Sequence, residues 1–212
     1  MTHAAMAATG QPSHQDVPLA RERAALYAWF ATVYAEEMPK DRLAGWLGHG
    51  ADPLLQALAD GGMEREVQAV RHSLQAMAGG IPDIQLELAA DYAQCFLLDA
   101  RSSAPLYASC YQPGTAPRLF GATADRLAAY MASHDLRTDP GCREPMDHLA
   151  MELELLSWMI LNDPPAAQAM QQDLLDWLPA FNERCQSISD RFGFYPAITA
   201  LLLQVVLNDH DE

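Results

Sequence analysis

The segment from Glu144 to Ile160 constrains the fold most, because its apolar residues lie on more than one side of a predicted helix. At about 100° per residue, one apolar stripe runs the length of the segment, and other large apolar side chains lie outside it. Such a helix is normally buried between other elements. Pro145 suits the first helical position, where the N–H that proline lacks has no partner in any case. The pattern therefore predicts a central, buried helix that begins near Glu144. The stripe consists of Met146, Leu149, Leu153, Leu156 and Ile160.

Three polar residues, Glu144, His148 and Glu152, recur at one-turn spacing along one edge of this predicted helix. The spacing places an imidazole between two carboxylates, which predicts that His148 binds a proton more readily than a free histidine. Asp147 is predicted to point to another side, near Glu154. The structural alternative is that Asp147 is an acid favoured at a helix start and that His148 is a partly buried histidine satisfied by a neighbour.

The same three residues leave a metal-dependent enzyme open as an alternative function. One His and two Glu on one helix lack the second Glu-x-x-His helix of a di-iron bundle, and they do not match His-Glu-x-x-His. A nucleophilic triad would need a Ser or Cys from elsewhere in the chain. A nucleotide-responsive protein is disfavoured because the chain has no Gly-x-x-x-x-Gly-Lys-Ser/Thr loop. The alternative that remains is a helical enzyme with Glu144, His148 and Glu152 as metal ligands.

The composition favours an all-α fold. Half of the 212 residues are apolar, which is enough for a sizeable core, and helix-forming residues outnumber the β-branched Val and Ile. No repeat of 30 to 45 residues is present, so a helical solenoid is disfavoured. Besides the central helix, the periodicity predicts helices from Pro18 to the Met38-Pro39 break, over about 40–47 and 52–59, from Met63 to the Gly79-Gly80 pair, and over 81–98, 118–136, 165–184 and 196–208.

The charge distribution indicates the class of ligand. The formal net charge of −15 argues against nucleic acid and anionic membrane surfaces as partners. Residues 144–212 contain twelve acids and only two bases, whereas residues 1–143 contain sixteen acids and eleven bases. The half with the central helix therefore attracts basic ligands. The alternative is a solvated acidic surface that serves solubility.

The ends of the chain and its cysteines favour a cytoplasmic protein. Residues 1–16 have no apolar core of a signal peptide and are predicted to form a disordered tail. The sequence contains no run of 18 uninterrupted apolar residues, so no membrane span is predicted. The four cysteines form no Cys-x-x-Cys pair, so no metal knuckle or redox dithiol is predicted, and free thiols suit a reducing compartment. No cofactor is predicted.

A break in the helical pattern at residues 137–143, which contain Asp139-Pro140-Gly141, divides the chain. We expect an N-terminal helical part over 17–136 and a C-terminal part over 144–212 that is too small to be stable alone. The two parts are therefore predicted to form one globular multi-helix bundle. A hinge between them also permits exchange of the C-terminal helices between two copies.

Two blocks of sequence resemble one known family. Glu144-Pro145-x-Asp147-His148-Leu149-x-x-Glu152-Leu153 resembles the signature of the TorD/DmsD/NarJ family of cytoplasmic chaperones for molybdenum enzymes, and its TorD-like branch is the most similar. Asp91-Tyr92-x-x-x-Phe96, followed by Ala104-Pro105-Leu106-Tyr107-Ala108-Ser109-Cys110-Tyr111, is similar to the family's Asp-Tyr-x-x-Leu-Phe segment and its Pro-x-aromatic-x-Ser-x-aromatic loop. Cys95 departs from the usual Leu, and Leu98-Asp99 stand where Gly-Pro is common.

The resemblance implies a non-catalytic chaperone. Its partner would be the apo-form of a molybdopterin-dependent oxidoreductase, bound through a twin-arginine signal peptide until the cofactor is inserted. It also implies an all-α TorD-like fold and either a monomer or a domain-swapped homodimer. The partner-binding residues carried over by position are Asp147 and His148, with Glu144 and Pro145 shaping the helix start and Tyr107, Ser109 and Tyr111 lining the facing loop.

Overall fold

The computed structural model describes residues 16–99, 101–112, 121–139, 142 and 144–211. These residues contain ten α-helices and no β-strand, so the predicted all-α fold class is confirmed. Short π-helical turns follow α3 and α5, at Ala59–Met63 and Ala93–Leu97, and a 3-10 turn covers Ala108–Cys110. The helices are α1 (Asp16–Tyr34), α2 (Lys40–Leu47), α3 (Asp52–Leu58), α4 (Glu64–Met77), α5 (Ile84–Tyr92), α6 (Ala122–Ser133), α7 (Leu149–Asn162), α8 (Pro164–Leu175), α9 (Leu178–Ser187) and α10 (Phe194–Asp211).

The core is built around α1, α7 and α10. Helix α1 packs along α7, and α10 packs against α4, α8 and α9. Helix α7 buries apolar residues on several sides, as its sequence pattern predicts. Tyr34, Phe96, Phe181 and Tyr195 meet edge-to-face or stacked, which joins α1, α9 and α10 through one aromatic cluster. Helices from before and after the predicted break thus share one core.

The predicted start of the central helix is wrong. Helix α7 begins at Leu149, not near Glu144, and His148 is its N-cap, with extended backbone at φ −73° and ψ 133°. Residues 144–148 are not helical, because the backbone on both sides of His148 pairs with residues 106–108. Pro145 is therefore not the first residue of a helix. Glu144, His148 and Glu152 do not share one helical edge.

Other boundaries differ for local reasons. The predicted helix 165–184 is two helices, because Pro179 in the first turn of α9 cannot continue the hydrogen-bond ladder of α8. Helix α5 begins at Ile84, after Asp83 in the left-handed conformation at φ 54°. Helix α10 begins at Phe194, two residues before its predicted start. The predicted tail lies outside the described residues up to residue 15, as do residues 140, 141 and 143 of the predicted hinge.

Candidate functional site

Two distant segments pair at the start of α7. The backbone N–H of Leu149 donates to the carbonyl of Leu106 at 2.8 Å, and that of Ala108 donates to the carbonyl of Asp147 at 3.0 Å. These bonds form an antiparallel bridge between Tyr107 and His148. We call residues 104–111 the facing loop. The structure thus brings the two family-like blocks together.

Asp147 holds the facing loop through a hydrogen bond from a buried carboxylate. Its side chain is 0% exposed, and Oδ2 accepts a hydrogen bond of 3.1 Å from the backbone N–H of Ser109. Its Oδ1 atom and the hydroxyl of Ser109 are both buried and have no hydrogen-bond partner within the described residues. The prediction that Asp147 points towards Glu154 assumed a helix at residue 147. Because this residue precedes the helix, its side chain points to the facing loop.

His148 is a buried helix cap. Its ring is 5% exposed, Nδ1 accepts a hydrogen bond of 3.2 Å from the N–H of Ala150, and the Tyr107 ring meets it edge-on at 5.2 Å between centroids. Burial lowers the pKa of His148 below its ordinary value, against the opposing charges of Glu144 and Asp147. The prediction of readier protonation is wrong, because desolvation outweighs the two carboxylates.

Glu144 and Glu152 lie in different environments. Glu152 is 2% exposed, and its Oε2 accepts a hydrogen bond of 3.2 Å from the indole N–H of Trp177. Burial raises the pKa of Glu152 well above its ordinary value, which favours the neutral acid. Glu144 is exposed and accepts a bond of 2.8 Å from the hydroxyl of Tyr107. In the described part of the chain, no three His, Cys, Asp or Glu side chains form a group suited to a metal ion.

The facing loop is anchored at its other end by Tyr111. This ring stacks on Trp177 at 5.5 Å between centroids, and its hydroxyl donates to the carbonyl of Pro105 at 2.9 Å. Ser109 packs close to Gly121, where an added Cβ would lie 3.2 Å from the Ser109 Cβ. The stack on Trp177 and the close contact with Gly121 hold the loop against the starts of α9 and α6.

The family-like segment that begins with Asp91-Tyr92 has a structural role. The carboxylate of Asp91 accepts hydrogen bonds from the backbone N–H groups of Arg191, at 2.9 Å, and Phe192, at 3.1 Å. The hydroxyl of Tyr92 donates to the carbonyl of Tyr34 at 3.0 Å. This block therefore ties α5 to α1 and to the turn that precedes α10.

A groove beside the site was not predicted from the sequence. Two adjoining cavities, of about 400 Å³ and about 450 Å³, share Met131, Leu136, Arg137, Thr138 and Met146 and together form one groove along α1, α6 and α7. We call it the methionine groove. Glu144 and Pro145 line its second cavity. The apolar lining also includes Met151, Leu155 and Trp158, and the charged lining includes Asp125, Asp139, Glu154 and Arg42.

The sequence carried a partial signal for this groove. Met151 and Trp158 lie outside the main apolar stripe of α7, on a third side of the helix. That excess of apolar surface is explained by the groove, which needs α6 to form its opposite wall. No helix within the described ranges is long and apolar enough to span a bilayer.

Comparisons with known proteins identify the family. The model of the nitrate reductase delta subunit family matches residues 60–187. The chain is 40% identical over 199 residues to a chaperone protein TorD from Psychrobacter sp. (strain PRwf-1), covering 88% of this chain and 89% of the relative. The chain belongs to the TorD/NarJ family. Another TorD chaperone, from Histophilus somni (strain 129Pt), is 33% identical over 187 residues, covering 87% and 95% of the two chains.

The fold of this TorD/NarJ family member also matches a solved structure. A redox enzyme maturation protein from Archaeoglobus fulgidus aligns with a TM-score of 0.56 at 19% identity, covering 94% of this chain and 98% of the other. The predicted TorD-like fold is therefore confirmed. Because the relatives are chaperones, the family supports a role in molybdoenzyme maturation, and the prediction that the chain is not an enzyme is confirmed.

Proposed function

We propose that this TorD/NarJ family member is a cytoplasmic chaperone that binds a molybdoenzyme precursor through its twin-arginine signal peptide. The observation that carries this proposal is the methionine groove. An apolar, methionine-lined groove with carboxylates at its edges suits a peptide that combines arginines with an apolar run. The bound apo-enzyme is held until its molybdenum cofactor is inserted.

The charges of the groove support a basic ligand. Asp125, Glu144, Asp139 and Glu154 line it, against two arginines, and the chain from residue 144 onwards is strongly acidic. Guanidinium groups form paired hydrogen bonds with carboxylates, but partly exposed pairs contribute only about 1 kcal/mol or less each. Burial of the apolar run therefore supplies most of the affinity, and the carboxylates supply selectivity for the arginines.

The residues implied by the family resemblance divide into two roles in this proposal. Glu144 and Pro145 line the groove and contact the peptide. Asp147, His148 and Ser109 are buried, so they act by holding residues 144–146 and the facing loop in place. Tyr107 positions the Glu144 carboxylate through its hydroxyl, and Tyr111 anchors the loop.

A synthetic peptide with an Arg-Arg pair followed by an apolar run tests the proposal by isothermal titration calorimetry. We expect binding that weakens as salt rises, and weaker binding when both arginines are replaced by Gln. Glu144→Gln should reduce affinity, whereas Glu183→Gln, the same change at an exposed site on α9, should not. Equal binding of both peptides at all salt concentrations would mean that the acidic half is only a solvated surface.

Charge placed in the groove tests its apolar part. Met151→Lys should reduce peptide affinity about tenfold or more, because the ammonium group must be desolvated against the apolar run. Leu161→Lys places the same charge at an exposed position on the same helix and should leave affinity unchanged. Equal effects of the two substitutions would place the peptide elsewhere.

Light scattering during size-exclusion chromatography would show whether the predicted exchange at residues 137–143 produces a dimer.

A further inference from the structure

The methionines of the described residues differ in exposure. Of the eight in the described residues, six are buried, and the two that are only partly buried, Met131 and Met151, both line the methionine groove. Met146 lines it too, and the thiol sulfur of Cys142 lies 3.8 Å from the sulfur of Met151. The two most exposed methionine residues of the described structure are therefore gathered at the proposed binding surface. The six buried methionines are Met38, Met63, Met77, Met146, Met159 and Met170.

Accessible thioethers react with peroxides. The sulfur takes one oxygen atom as the O–O bond of hydrogen peroxide breaks, so the thioether is oxidised to a sulfoxide and the peroxide is reduced to water. The product is a polar, chiral side chain with a strong hydrogen-bond acceptor. A Met-rich apolar surface loses affinity for apolar partners when its side chains change in this way, and sulfoxide reductases reverse the change.

We propose that Met131 and Met151 form a methionine oxidation site through which peroxides lower the affinity of the methionine groove for apolar segments. The two residues lie on α6 and α7, on opposite walls of the groove, so sulfoxides at both positions place polar groups on both sides of a bound segment. The identity of that segment as a signal peptide rests on the proposed function. The sensitivity of the groove to oxidation rests on the exposure of these two side chains alone.

The test compares the full chain before and after treatment with hydrogen peroxide. A thiol reductant is then added, because it returns reversibly oxidised cysteine to the thiol and leaves sulfoxides in place. Mass spectrometry of proteolytic fragments locates the sulfoxides, which we expect first at Met131 and Met151. Affinity is measured for the Arg-Arg peptide and, independently, for the neutral apolar dye Nile red.

We expect oxidation to weaken the binding of both ligands about tenfold, because the sulfoxide oxygen, a hydrogen-bond acceptor, must be desolvated when the groove is occupied. Methionine sulfoxide reductases of both epimer specificities should restore affinity. In the double variant Met131→Leu/Met151→Leu, the affinities of the treated and untreated protein should agree within about twofold. Met6→Leu controls for oxidation outside the described residues, and its affinity should fall on treatment as much as that of the unchanged chain.

Two outcomes separate the failure of this inference from the failure of the proposed function. If the untreated chain binds Nile red but not the peptide, the proposed peptide ligand is wrong, and the dye still decides the oxidation site. If both methionines carry sulfoxides and neither affinity changes, the oxidation site is wrong whatever the ligand is. The same conclusion follows if the double-Leu variant loses as much affinity as the unchanged chain.

Discussion

The backbone N–H of Ser109 donates a hydrogen bond to the buried carboxylate of Asp147, which lies 38 positions further along the chain. The bond adds a side-chain contact to the backbone bridge between Tyr107 and His148. One carboxylate thereby holds the facing loop to the segment that starts α7. The segment before it, residues 144–146, lines the methionine groove.

Asp147→Ala should lower the free energy of unfolding by about 1–3 kcal/mol, because it leaves the buried N–H of Ser109 without an acceptor. Asp147→Asn should cost less, since the amide oxygen still accepts that bond. The control is Asp41→Ala, which removes an acid from the first turn of α2 and should cost under about 1 kcal/mol. Urea titration measures all three. Equal costs for Asp147→Ala and Asp41→Ala would make Asp147 an ordinary helix-start acid.

His148 should make stability depend on pH. Its pKa is lowered by burial, so the unfolded chain binds a proton more readily than the folded chain does. The stability that comes from neutral His148 is present above about pH 6.5 and is lost as pH falls below that value. His148→Asn keeps an acceptor at the N-cap and removes the titration. Melting curves between pH 5 and pH 8 should show a smaller pH dependence for this variant, and an unchanged slope would contradict the prediction.

Glu152→Gln should stabilise the fold increasingly as pH rises from 5 to 8. Burial raises the pKa of Glu152, so the folded chain holds this proton more tightly, and stability falls as pH rises above about 4.5 towards the folded pKa. Glutamine keeps an acceptor for Trp177 and has no proton to lose. The gain in melting temperature over the unchanged chain should therefore grow from pH 5 to pH 8. Glu154→Gln, at an exposed position on the same helix, is the control for the substitution itself.

Asp190→Asn should also stabilise the fold, by an amount that grows as pH rises to about 6. Burial, together with the charge of Asp91, raises the pKa of Asp190 to about 6. Stability is therefore lost as pH rises from 3.8, the ordinary pKa of this carboxyl group, to about 6, its pKa in the folded chain. Asparagine keeps an acceptor for the N–H of Gly193, which now bonds Oδ1 at 2.9 Å. Calorimetry should find a larger gain at pH 8 than at pH 5, because only part of the penalty is present at pH 5, and Asp176→Asn serves as an exposed control.

Local patterns were sufficient to predict most of the helices. Apolar periodicity located α1 to α4, and the burial of α7 on several sides followed from its excess of apolar residues. The sequence also contains a signal for the break between α8 and α9, because a proline such as Pro179 in a continuous helical pattern marks a boundary. It was missed because the periodicity of large apolar residues continues across the break.

Residues of the two family-like blocks lie close together, but not in the arrangement that the helical pattern predicted. The family-like blocks identified Tyr107, Ser109, Asp147 and His148, and the fold brings these four together. Whether each of them binds a partner stays a prediction. The predicted helix start at Glu144 is wrong because a proline followed by an acid is a local signal, and backbone hydrogen bonds to residues 39 and 43 positions away override it.

The sequence by itself determined the helical class, the positions of most helices and the acidic character of the C-terminal half, because these depend on residue type and short-range spacing. Only the tertiary structure decided the ionisation of the site. Burial lowers the pKa of His148 and raises that of Glu152, because desolvation depends on what packs around each group. The methionine groove is likewise a tertiary feature, since its walls come from helices far apart in the chain and no single segment encodes the space between them.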